Sequence, residues 1–226
     1  MAGEMGAKFI AVGLSDVLDM WLGSSERNLH ELFMLARREA PVVLFIDEID
    51  ALGQKRSTQV GAMRGTVNQL LAELDGVGAD NEGVYILAAT NQPWDIDPAL
   101  RRPGRLDRTV LVLPPDRPAR EAVLRHHLRD RLVAGIDLGR LAKATDGYSG
   151  ADLAYVCESA AERALLDGAR TGHVRMIDMR LLEWAMGQLQ PSTRGWFDIA
   201  RNVVMFADND GSYAELRAWM KKRKLL

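Results

Sequence analysis

The chain has 226 residues, enough for one large domain or for a domain with a small companion. Its 47% hydrophobic and 27% charged residues, with 20 Gly and 8 Pro, exclude disordered, collagen-like and low-complexity classes. Lys+Arg 29 against Asp+Glu 31 gives a net charge of −2, without the basic excess of a dedicated nucleic-acid binder, and the single cysteine, Cys157, excludes an intrachain disulfide or a cysteine-cluster zinc site.

No apolar run approaches the roughly 20 residues of a membrane helix. Residues 1–6 carry an acid and no basic segment of the kind that opens a secretory leader. A soluble, cytoplasmic protein without a membrane segment is expected.

Four short runs rich in Val, Ile, Leu and Phe, at residues 9–12, 42–46, 84–89 and 110–113, predict strands buried on both faces. Between them, Leu29, Leu32, Phe33 and Ala36, and then Met63, Val67, Leu70, Leu71 and Leu74, follow helical spacing. Alternating strand and helix predicts an α/β fold, a parallel sheet with helices on its faces and its chemistry at the carboxyl ends of the strands. After Pro114 and Pro115 the strand pattern stops, and Asp116 with Pro118 opens a helix carrying Val123, Leu124 and Leu128. Ser149 with Asp152 reads as a capping-box-like start to a helix burying Leu153, Val156, Cys157, Ala160 and Ala164. Leu181, Leu182, Ala185 and Leu189 mark another helix. Pro191 and Gly195 then break the chain before a terminal pair containing Trp196, Ile199, Val203, Leu216 and Trp219. The expected division is an α/β unit over residues 1–116, a helical unit over 117–190 and a helical extension over 191–226.

Chemistry concentrates at three places. The run 42–46 ends in adjacent carboxylates, Asp47 and Glu48, with Asp50 close behind. Neighbouring acids at a strand end need compensation: in a phosphate-cleaving site Mg²⁺ supplies it, held by one acid while the next polarises water. A helix N-terminus that welcomes acids explains the same residues. The run 84–89 ends in Thr90 and Asn91, where an amide could orient the water that Glu48 activates, or serve only a turn. Between 98 and 108, arginines at 101, 102, 105 and 108 surround a Pro103-Gly104 turn. Guanidiniums on a tight turn suit developing phosphoryl charge, including that of a neighbouring subunit's nucleotide, and equally suit a solvated loop paired to Asp95, Asp97 and Asp107.

In order and spacing, residues 40–52 resemble the Walker B segment of AAA+ ATPases. Residues 88–93 and 97–108 resemble the sensor 1 and second-region-of-homology segments of the AAA subgroup that includes katanin, spastin and the FtsH-like proteases. Residues 147–153 resemble that subgroup's lid motif. The resemblance spans about residues 1–190 and implies a P-loop NTPase-like sheet followed by a helical lid. It further implies that Asp47 serves Mg²⁺ and that Glu48 is the hydrolytic base. By the same resemblance Asn91 senses the terminal phosphate, Arg102 and Arg105 are arginine fingers reaching an adjacent subunit, and Gly150 and Ala151 lie near the adenine. ATP and Mg²⁺ as cofactors and a homo-oligomer, usually a hexamer, follow from it. Trp21 and Leu22, within Met20-Trp21-Leu22-Gly23, match pore loop 1, whose aromatic grips a translocating polypeptide. By composition alone Trp21 reads as core. Residues 59–64 match the second pore loop in position only.

No Gly-x-x-x-x-Gly-Lys-Ser/Thr occurs in the chain, although ATPases of this type cradle phosphates with it. On the family pattern, residues 2–7 resemble the end of the helix that follows that loop, so the resemblance implies that about three dozen residues, with the first strand, would precede them. Weak nucleotide binding by the 226 residues alone is therefore expected. The reading is an ATP-hydrolysing, ring-forming module that remodels or threads protein. The alternatives are a catalytically impaired interaction module without the phosphate loop, or a nucleic-acid-handling ATPase, which the acidic balance disfavours. His-Glu-x-x-His is absent, and His126 and His127, adjacent on a helix, point to different sides, so no zinc protease is expected.

Overall fold

Apolar runs in the first half of the chain pair as parallel strands. In the computed structural model, which describes residues 2–13, 25–53, 61–78, 80–208 and 211–226, β1 (Lys8–Gly13) lies beside β2 (Val42–Asp47), and β2 beside β3 (Val84–Ala88). The register sets Gly13 opposite Asp47 and Ile46 opposite Ala88, so the three strands share one carboxyl end. A short α1 (Ala2–Met5) precedes β1. Three further helices are α2 (Ser25–Arg38), α3 (Asp50–Gly53) and α4 (Gly61–Leu74). By Cα proximity the chain divides into two units, Met1–Val110 and Leu111–Leu226.

One face of the sheet makes the core of the first unit. Ile10, Val12, Leu44, Ile46 and Ile86 alternate onto that face and meet Leu29, Phe33 and Ala36 of α2 and Val67 and Leu70 of α4. The expected stripe on α2, and that on α4 from Val67 to Leu74, thus point inward. Between α2 and α4 sits a buried carboxylate, Glu73, 4% exposed. Arg37 pairs with it at 2.8 Å, His30 Nδ1 lies at 2.6 Å and the Gln69 amide donates at 2.8 Å. Burial disfavours its charged form, but the bonds from His30, Arg37 and Gln69 outweigh that and hold the carboxyl below its usual range.

Two expectations are corrected. Burial on both faces holds for β2 alone: on the opposite face, Phe9 (56% exposed) and Tyr85 (47%) lie on either side of Val43, and the Phe9 ring stacks on that of Phe45, centroids 6.0 Å apart. Residues 110–113 are not a strand, and Val110 and Val112 are 81% and 88% exposed. A β-branched run becomes a strand only beside a neighbour offering its N–H and C=O groups, and among the described residues 110–113 has none.

The second unit is helical, and its starts follow cap chemistry. Asp116 caps α5 (Arg117–Leu128) by accepting the Ala119 N–H at 2.9 Å, and Asp137 caps α6 (Leu138–Ala144) through Arg140 N–H at 2.9 Å. Ser149 and Asp152 form a true capping box on α7 (Gly150–Thr171), which ends at Gly172, φ 70°. Asp178 caps α8 (Met179–Gly187). Leu124, Leu141, Leu153, Val156, Cys157, Leu181, Leu182 and Ala185 fill the core. α9 (Thr193–Phe206) and α10 (Ala214–Lys222) follow. On α9 the buried residues are Phe197, Ala200 and Val204, not Ile199, which is 56% exposed. Phe197 stacks on Trp219, ring centroids 4.9 Å apart. Among the described residues no helix is long and apolar enough to cross a membrane.

Candidate functional site

Asp47 is the last residue of β2, exposed, where the chain leaves the sheet. Glu48 follows with φ 53°, one of two non-glycine residues with positive φ among those described. The left-handed region is disfavoured for a glutamate, so surrounding contacts must hold it there. They are visible: Asp47 Oδ1 accepts the Glu48 N–H at 2.9 Å. Ile49 N–H then rejoins the sheet on the Ala89 carbonyl at 3.1 Å, as Ala89 N–H does on Ile46 at 2.9 Å. Ile49 is buried. Anchored on both sides, the exposed Glu48 is turned out of the strand line at the sheet's carboxyl edge.

The adjacent strand brings Thr90 and Asn91 to that edge. The Thr90 hydroxyl donates to Asp50 Oδ1 at 2.7 Å and accepts the Gln92 N–H at 2.9 Å, which ties the segment after β3 to the start of α3. Asn91 is exposed beside it. The structure therefore gathers Asp47, Glu48, Asp50, Thr90 and Asn91 at one end of two neighbouring parallel strands. Among the described residues neither Asp47 nor Glu48 has a cationic partner within salt-bridge distance. No described trio of His, Cys, Asp or Glu side chains is grouped to hold a metal by itself. Two uncompensated hard oxygen donors fit a Mg²⁺ ion that takes its remaining ligands from water and phosphate.

The arginine segment is built on a 3₁₀ turn, Pro98–Arg101, capped by buried Asp97, whose Oδ1 accepts the Ala99 N–H at 2.8 Å. Arg105 N–H closes a turn onto the Arg102 carbonyl at 3.1 Å, with Gly104 at φ 86° as a type II turn after proline requires. Its two arginines differ. Arg102 is exposed and has no carboxylate partner among the described residues. Arg105 turns inward: Nε and Nη2 reach the Asp75 carboxylate at 2.6 Å each, and Nη1 reaches the Ala99 carbonyl at 2.7 Å. The Arg105 bonds hold the Asp75 carboxyl below its ordinary range, and Asp75 raises Arg105 in return. Asp75 was invisible as a partner in the sequence because 30 residues separate the pair and only the fold joins them.

Gly150 and Ala151 lie in the second unit, exposed in the first turn of α7, and a Cβ placed on Gly150 would meet nothing within 4 Å. Trp21, Leu22 and Gln59 lie outside the described residues, and Gly61 to Arg64 open α4. His126 and His127 stand edge to face on α5, ring centroids 5.2 Å apart.

Residues 1–113 match the family described as "ATPase family associated with various cellular activities (AAA)", and residues 135–180 match "AAA+ lid domain". The chain is 42% identical over 222 residues to the "ATP-dependent zinc metalloprotease FtsH" of Caldicellulosiruptor bescii, covering 96% of this chain and 35% of that protein. It is 42% identical over 198 residues to the protein of the same name from Acidimicrobium ferrooxidans (85% and 30%) and 45% identical over 194 residues to that of Nitrosococcus oceani (84% and 29%). The chain spans about a third of the length of these curated relatives.

Proposed function

Since the chain belongs to the AAA ATPase family and carries its lid, we propose that it is the ATP-hydrolysing module of a ring-forming, cytoplasmic machine that remodels or threads protein. The observation that carries this reading is the sheet's carboxyl edge, where Glu48 is held at φ 53° between Asp47 and buried Ile49, next to Thr90 and Asn91. A general base needs a fixed direction as much as a suitable charge, and the anchored turn supplies it.

Mg²⁺, when bound, neutralises developing charge on the phosphates. Asp47 holds its shell, and Glu48 accepts the proton of the attacking water. The Asn91 amide orients that water and reports the terminal phosphate. Arg102 meets the nucleotide of an adjacent protomer, which calls for an oligomer, in family terms a hexamer. Arg105 belongs to the same finger pair, and its bond to Asp75 holds the turn that presents Arg102. Gly150 and Ala151 meet the base. Trp21 and Leu22 contact the polypeptide substrate, a flat ring gripping many side chains by area rather than by a fixed hydrogen-bond code.

The test is ATP turnover by the full-length gene product with and without an unfolded polypeptide, and separately with single-stranded DNA. Stimulation by polypeptide alone is expected, and Trp21→Ala should abolish it while leaving unstimulated turnover intact. Stimulation by DNA alone overturns the protein-substrate reading, and no turnover in either case favours an impaired interaction module.

A further inference from the structure

The turn that enters α7 is bonded far beyond the needs of a helix start. An ordinary capping box exchanges one bond each way, here Asp152 N–H to Ser149 Oγ at 3.1 Å and Ser149 N–H to Asp152 Oδ2 at 2.8 Å. The same Oδ2 also accepts the Ser192 N–H at 3.1 Å and the Ser192 hydroxyl at 3.0 Å, from forty residues away. Asp152 is 5% exposed, so these bonds compete little with water. Ser149 and Ser192 hydroxyls lie 3.2 Å apart, completing the set. Thr193 Oγ1 donates to the Gly147 carbonyl at 2.6 Å, and the Tyr148 hydroxyl donates to the Leu189 carbonyl at 3.1 Å. Every residue from 147 to 149, and Asp152 after them, is thus fastened to residues 189–193, the stretch after α8 and the first residue of α9. Only Gly150 and Ala151 face open space.

Ser192 stands at the N-cap position of α9 yet makes no cap bond there. Its backbone is helical there, φ −61° and ψ −26°, rather than the extended form from which a cap oxygen accepts, and its N–H and hydroxyl both donate to Asp152 at the entry of another helix. The matched lid region ends at residue 180, so Ser192 and Thr193 lie beyond it.

We infer that Asp152, Ser192 and Thr193 are positioning residues through which the start of the C-terminal helices fixes Gly150 and Ala151 for the nucleotide base. The inference rests on the proposed base contact of those two residues, and it adds that the segment after residue 190 sets how tightly the base is held. Motion of α9 then changes base affinity and leaves phosphate affinity alone.

The experiment uses the full-length gene product with Asp152→Asn and, separately, Ser192→Ala with Thr193→Val, which removes the two long-range hydroxyl donors and keeps the capping box. Amide exchange is followed at Ser149 and Ser192, and binding of MgADP is compared with that of magnesium pyrophosphate, which has no base. In Asp152→Asn both amides should exchange about tenfold faster, while Val156 to Ala160 keep their protection. In the double variant ADP should bind about fivefold more weakly, with pyrophosphate unchanged. Wild-type exchange at Ser192 in Asp152→Asn overturns the coupling itself. Faster exchange with unchanged ADP affinity overturns the base contact, and equal losses for ADP and pyrophosphate reduce the clamp to general stability and overturn the inference. If the wild-type protein binds neither ligand, the proposed function fails, and the exchange rates alone decide the coupling.

Discussion

The two units keep their polar groups differently. In the second, carboxylates are spent on structure: Asp116, Asp137 and Asp178 each cap a helix, and Asp152 joins two. In the first, Asp47 and Glu48 stand exposed at a strand end without a cationic partner among the described residues, while the buried Glu73 is fully paired. An acid with its lone pairs filled is a girder, and an acid left open on an anchored backbone is available for chemistry. On the proposed function, that contrast separates the residues that act from those that support.

It can be probed from its heaviest supports downward. Phe33 is fully buried in the core beneath the sheet, and Phe33→Ala should cost about 3–5 kcal/mol in urea unfolding. A loss under about 1 kcal/mol would mean that α2 is not seated as described.

Glu73→Ala comes next, at about 3 kcal/mol near neutral pH, because it strands Arg37 beside His30. The sign of its pH dependence follows from the lowered carboxyl. Stabilisation is complete above the unfolded glutamate value of about 4.3 and fades as pH falls through the lower folded-state value. The gap between wild type and Glu73→Ala should therefore close in acid, and a gap as wide at pH 3 as at pH 7 would contradict the pairing.

In the second unit, Asp137→Ala should cost about 1 kcal/mol, measured by thermal unfolding, with activity untouched. Smallest in energy is the thiol. Burial pushes Cys157 up to about 11, against a lesser pull from Arg131. Thiol reagents at pH 8 should label it only after denaturation, and rapid labelling of the folded protein would place it outside the core.

Much of this was legible beforehand where local rules suffice. The stripe of Leu29, Phe33 and Ala36, the Asp116-Pro118 helix start and the Ser149–Asp152 box all stand as read, because periodicity and capping act over three or four residues. The strand ending in Asp47 was legible from its apolar run. What stayed hidden depends on chain distant in sequence. Residues 110–113 have strand composition and no partner. The stack of Phe197 on Trp219 joins two helices and is set by residues far apart in sequence. Arg105 reads as the twin of Arg102 until Asp75 draws it inward. At Glu48 the acid pair at a strand end and the family resemblance implied a base, while the positive φ of its backbone left no mark in the sequence.

The most direct measurement is Mg²⁺-dependent ATP turnover by the full-length gene product carrying Glu48→Gln, with nucleotide affinity read alongside. Glutamine keeps the size and the anchored turn and removes only the proton acceptor. Turnover should fall by about 100-fold or more with affinity for ATP retained. Turnover within twofold of wild type would contradict the assignment of the base and leave the strained glutamate without a catalytic role.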